Sequence, residues 1–130
     1  MTIDYKELLS VKDELNETIE KSMRSVALSF FRNVTFASPV DTGRFRANWV
    51  VGLNSPDNNE YPNRTSANAA KQRANSQIKR FEYTGNQVIY INNNLPYARR
   101  LNNGYSQQAG KLFVERAAQQ AGINLKDGDL

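Results

Sequence analysis

The chain has 130 residues, a formal net charge of +4 and 39% hydrophobic side chains, with a mean hydropathy of -0.67. At this length one domain buries roughly two thirds of its unfolded surface, and the polar average points to a modest core with solvated or partner-facing segments. The absence of cysteine and histidine excludes disulfides, thiolate nucleophiles, Cys/His zinc sites and every triad that uses imidazole.

No apolar run approaches the roughly 20 residues of a membrane-spanning helix. The opening "MTIDYKELLS" lacks the basic-then-apolar order of a signal peptide, so a protein made inside the cell is expected. Charge is unevenly spread: residues 1–37 hold 5 basic and 6 acidic side chains, whereas 44–116 hold 11 and 4. A basic body on a near-neutral arm suits polyanions or acidic protein partners, or is a solvated face.

The first 37 residues read as one long helix, or two in succession. Leu8, Leu15, Ile19, Met23, Val26, Phe30 and Val34 recur with helical spacing, and no proline or glycine intervenes before Pro39. A helix of about 30 residues is roughly 45 Å long, more than so small a domain covers. Its first half carries a narrow apolar stripe close to a coiled-coil seam, so part of it is expected to meet another subunit.

After the "SPVDTG" turn, Phe45, Ala47, Trp49, Val51 and Leu53 alternate with Arg44, Arg46, Asn48, Val50 and Gly52, which predicts a half-buried strand with both arginines facing outward. Residues 54–66, "NSPDNNEYPNRTS", predict a long exposed loop that orders only against a neighbour. Ala70, Ala74, Ile78 and Phe81 give 67–81 helical spacing, with Lys71, Arg73, Lys79 and Arg80 on its polar side. "FEYTGNQVIYIN" predicts a hairpin turning at Thr84-Gly85-Asn86. A short helix after Pro96 is capped by Gly104, a last helix spans Lys111–Gln120 and ends at Gly122, and the tail 123–130 is expected to be flexible. One domain over 1–122 results, with 1–37 as a helical arm and 38–122 as sheet and helices.

Asp41-Thr42-Gly43 matches the catalytic triplet of aspartic proteases, but its context does not. Those enzymes seat the aspartate at the end of a buried apolar strand, among small residues that let two carboxyls share a proton. Here a long helix precedes the triplet and Arg44 follows it. The residues instead suit a turn: Asp41 and Thr42 accept backbone N–H groups and Gly43 supplies positive φ. The glycines form no phosphate loop or dinucleotide fingerprint, and "DNNE" at 57–60 is no calcium loop. Lys79-Arg80 and Arg99-Arg100 suit phosphates, and a basic nucleic-acid-binding protein of phage or bacterial origin is the alternative reading.

Two further stretches, "YINNNLPYARRLNNGYSQQAG" and "LFVERA", follow the turn. Together with the long helix they resemble the neck and minor tail-component family of tailed double-stranded-DNA bacteriophages, over about residues 15–118. The family's Pro-x-Asp-Thr-Gly-Arg turn is matched by Pro39, Asp41, Thr42, Gly43 and Arg44. Its Asn-x-x-Pro-Tyr-Ala segment and following glycine are matched by Asn93, Pro96, Tyr97, Ala98 and Gly104. Gly110 stands where a proline is frequent. The resemblance implies an α+β fold, with the long helix on a small, mainly antiparallel sheet and two or three shorter helices. It also implies a ring-forming virion subunit in the neck or upper tail, assembled in the host bacterial cytoplasm, with no catalysis, metal or cofactor. Its partners would be copies of itself and neighbouring head–tail connector and tail proteins, with DNA passing through the lumen. Arg46, Lys79, Arg80, Arg99 and Arg100 are the candidate interface cations.

Overall fold

A computed structural model of the chain describes residue 2 and residues 4–40, 43–62, 65–104 and 112–123. Helix α1, Tyr5–Ala37, runs 33 residues without interruption, about 50 Å at 1.5 Å per residue. Asp4 caps its start, its carboxylate accepting from Glu7 N at 2.9 Å, where the first turn's free N–H groups favour an anion. At the other end Ser38 leaves the helix, and its hydroxyl donates to Val34 O at 2.6 Å. Only the second half of α1 enters the core, through Ala27, Phe31 and Val34.

Gly43 takes a left-handed backbone with φ 72° and starts a one-turn helix, α2, Arg44–Ala47. The strand expected to begin at Phe45 therefore begins at Trp49. Phe45, Asn48 and Trp49 are buried together, and their i, i+3, i+4 spacing serves a helical turn as well as alternation serves a strand. Strand β1, Trp49–Leu53, pairs antiparallel with β2, Ile89–Asn93, in the register Trp49↔Asn93 to Leu53↔Ile89. Two strands alone are marginal; here α3 packs on β1 and α1 on β2.

The expected hairpin around Gly85 does not form among the described residues. Its turn is present, with Gln87 Oε1 accepting from Thr84 N at 2.6 Å and Gly85 N at 3.2 Å. Phe81–Tyr83 is not a strand, because α1 takes its backbone groups. Arg24 donates to Phe81 O through Nε and Nη2, and Glu20 accepts from Tyr83 N at 2.9 Å. Phe81 itself is fully buried.

Helix α3, Ala67–Lys79, is capped by Ser66 and buries Ala70, Ala74 and Ile78, the spacing expected of it. Helix α4, Ala98–Asn102, stops at Gly104 with φ 100°. Helix α5, Phe113–Gln120, ends before Gly122, φ 82°; Lys111, its expected start, lies outside the described residues, as does 124–130 of the tail. The class is α+β. The core gathers at Phe45, whose ring meets Trp49 edge-on at 5.9 Å and Phe113 edge-on at 6.1 Å, an arrangement that suits the ring quadrupoles.

Candidate functional site

Of the turn motif, Pro39 is buried and Gly43 holds the positive φ; Asp41 and Thr42, with their expected capping role, lie outside the described residues. Arg44 and Arg46 do not project from a strand, since α2 turns both back onto their own chain. Arg46 Nη2 donates to Phe36 O at 2.8 Å and Ser38 O at 2.9 Å. Helix α1 has no basic residue in its last turn, so Arg46 brings the cation that its exposed carbonyls favour. Burial pulls the Arg46 guanidinium below its ordinary pKa, yet it stays protonated at any working pH. Ser38 completes this corner: its buried hydroxyl also accepts from Trp49 Nε1 at 2.8 Å.

The loop after β1 is held by its own chain rather than awaiting a neighbour, at least over its described residues. Asn48, fully buried, accepts from Tyr61 N at 2.7 Å and donates to Tyr61 O at 3.1 Å and Arg44 O at 2.7 Å. Asn92 and Asn94 both donate to Asp57 O, at 2.9 and 2.7 Å. Arg73 stacks 3.7 Å from the Tyr61 ring centroid, and Arg44 donates to Tyr61 O at 3.3 Å. Composition suggested a loose loop; asparagine side chains, which offer both donors and an acceptor, supply the missing backbone partners.

The second motif meets the first at Phe45. Asn93 Nδ2 donates to Phe45 O at 2.9 Å while its Oδ1 accepts from Leu95 N at 3.2 Å, and the Tyr97 ring lies 6.2 Å from that of Phe45. Pro96 is exposed, and Ala98 N donates to Leu95 O at 3.1 Å as α4 begins. Two stretches some fifty residues apart in the chain thus form one knot. Asn102 does similar work beyond it. Its Oδ1 accepts from Val114 N at 2.9 Å and its Nδ2 donates to Glu115, capping α5, whose own N-cap Leu112 makes no side-chain bond. Ser38, Asn48 and Asn102 were not singled out in the sequence. Ser38 and Asn48 are each a polar residue beside apolar neighbours, the one signal available for them, whereas Asn102 sits in the largely polar run 99–104 and carries no such signal.

The motifs therefore build scaffold, and what remains for partners is surface. Lys79 and Arg80 end α3, and Arg99 and Arg100 sit on α4, all four exposed. The first half of α1 presents Leu8, Val11, Leu15 and Ile19, the first three more than half exposed. Two apolar grooves flank the second half of α1. One, of about 480 Å³, lies against β2 and is lined by Met23, Val26, Phe30, Val88 and Ile91 among others. The other, of about 530 Å³, lies against α3 and includes Leu28, Phe31, Phe36, Arg32, Arg46 and Lys71. Among the described residues no cluster of carboxylates could hold a metal ion, and no helix is long and apolar enough to cross a membrane.

No curated protein and no solved structure matches this chain. A family profile does: residues 5–104 match the family described as "Bacteriophage HK97-gp10, putative tail-component". The match takes in α1, both strands, the Gly43 turn and the Asn93–Gly104 segment, the parts that the hydrogen bonds above tie together. The chain belongs to the HK97-gp10-like family of bacteriophage tail components.

Proposed function

We propose that this protein is a structural subunit of a tailed-phage virion that assembles into a ring at the neck or upper tail and joins or completes the head–tail connection. It works by binding rather than by catalysis, with copies of itself and neighbouring connector and tail proteins as partners, and DNA passes through the lumen without sequence-specific contacts. The observation that carries the reading is the unpartnered first half of α1. Leu8, Val11 and Leu15 are 56%, 53% and 59% exposed on one face of a helix that outruns its domain. A row of apolar side chains at coiled-coil spacing is stable in water only when another surface covers it. Membership of a tail-component family supports a virion protein as that surface. The buried polar side chains support the same reading, since Ser38, Asn48 and Asn102 are engaged with backbone groups of the scaffold.

Size-exclusion chromatography with light scattering, followed by electron microscopy of the assembled fraction, tests the proposal. Closed rings with a lumen wide enough for duplex DNA are the expected result. A single chain that binds DNA tightly, with affinity falling steeply as salt rises, would overturn it in favour of a nucleic-acid-binding protein.

A further inference from the structure

Helix α1 is electrically two-ended. Residues 4–20 carry six carboxylates and two lysines, whereas residues 21–37 carry three cations and no carboxylate. The helix dipole favours this order but acts only over the first and last turns, and Asp13, Glu14, Glu17 and Glu20 lie deeper than that. Two of these are engaged within the helix: Glu17 pairs with Lys21 and Glu20 with Arg24, each at 3.3 Å. Glu7 and Glu14 flank the apolar seam of Leu8, Val11 and Leu15 and enter no ion pair among the described residues. The result is an acidic, apolar-striped helical rod that touches the body at Tyr83 through Glu20 and leaves the Leu8, Val11 and Leu15 seam exposed.

The groove between α1 and α3 has the opposite character. Its apolar side is Leu28, Phe31 and Phe36, and Phe36, 81% exposed, is the most exposed large hydrophobic residue described. Arg32, Arg46 and Lys71 line it, and no carboxylate does. Neither α3 nor α1 beyond Glu20 carries an acid, and Arg32 and Lys71 enter no ion pair among the described residues. The groove against β2 is apolar too, but no charged residue lines it, so an acidic helix finds no electrostatic partner there.

We infer that the α1–α3 groove receives the N-terminal half of α1 from a second copy of this chain. Leu8, Val11 and Leu15 cover Leu28 and Phe36, and Glu7 and Glu14 face Arg32 and Lys71. This deepens the ring reading above and rests on it. The chain cannot fill its own groove. Tyr5–Ala37 is one unbroken helix, and at about 1.5 Å per residue Leu15 and Phe36 stand roughly 30 Å apart along it. At about 100° per residue the middle of the seam and the middle of the groove also lie roughly 130° apart around the rod. One copy therefore holds a different neighbour at each end. Such a contact joins two unlike patches, and repeated it closes into a ring or grows as a filament. Opposite charge on the two patches sets the register and speeds encounter.

The test uses two full-length variants at exposed positions: Leu15→Asp, which spoils the arm, and Phe36→Asp, which spoils the groove. Circular dichroism checks that both remain folded, and light scattering reads their mass. The wild type is expected to give a multi-chain assembly and each variant alone a single chain. An equimolar mixture is expected to give a species of two chains, because one intact arm meets one intact groove and no complementary ends remain. A mixture that stays at one chain, or a Phe36→Asp variant that assembles like wild type, overturns the arm-in-groove contact while leaving a ring built by another interface in place. A wild type that remains a single chain at its highest soluble concentration overturns the contact as well, and DNA binding by that single chain overturns the ring reading itself.

Discussion

Replacing Asn48 by alanine removes three hydrogen bonds at a position with no solvent exposure. Tyr61 O keeps a partner in Arg44 Nε at 3.3 Å. Tyr61 N and Arg44 O lose the Asn48 amide, and leaving a buried backbone group unpaired costs about 1–3 kcal/mol. Taking both near the lower half of that range, because Tyr61 is only partly buried and water reaches it, the loss is about 3 kcal/mol. That is a large fraction of the roughly 5–15 kcal/mol that stabilises a domain. Urea unfolding followed by tryptophan fluorescence measures it, since the single Trp49 is buried next to the site. The midpoint should fall with little change in slope. Amide exchange should show the segment around Tyr61 losing protection before the core does. A loss below about 1 kcal/mol, or unchanged protection around Tyr61, would refute the argument that this side chain holds the loop.

Substitutions at three further positions probe the scaffold. At Gly43 a Cβ meets nothing within 4 Å, so the whole penalty comes from φ 72°; Gly43→Val should lose more than about 1 kcal/mol and Gly43→Asn distinctly less, because asparagine tolerates the left-handed region. Equal melting temperatures for the two would contradict this. Gly52 has ordinary φ but no room: a Cβ there would lie 2.2 Å from Ser55 O and 2.8 Å from Asp57 N. Gly52→Ala should therefore cost at least about 1–3 kcal/mol through a displaced loop, read by thermal melting, and a neutral result would show that the loop gives way freely. Ser38→Ala leaves the Trp49 indole N–H without its acceptor and should cost about 1–3 kcal/mol, with a shift in tryptophan emission as the independent readout.

The long helix was legible because its signal is local and repeated. Thirty-three residues without glycine or proline, with apolar residues at helical spacing, leave little else to form, and the same logic located α3 through Ala70, Ala74 and Ile78. The family motifs were legible as words, but their work was not. Asn93 and Tyr97 act on Phe45 from across the sheet, a relation that no spacing along the chain reports. The strand expected at Phe45 failed because four residues of alternating pattern fit a helical turn equally well, and the left-handed Gly43 settled the matter. The hairpin expected at Gly85 failed because Arg24 and Glu20, sixty residues away, claimed the backbone of Phe81 and Tyr83 first.

The sequence by itself determined the elements whose forces act over one or two turns: the α1 rod, the buried face of α3 and the glycine stops at Gly104 and Gly122. The tertiary structure decided which backbone groups pair with which side chains, and so where Arg44, Arg46, Asn48 and Asn102 spend their hydrogen bonds. It also decided that Leu28, Phe31 and Phe36 share a groove with Lys71 of another helix. The difference is physical. Helical periodicity and capping are set by neighbours in the chain, whereas a buried hydrogen bond or a groove exists only once distant segments are brought within a few ångströms of each other.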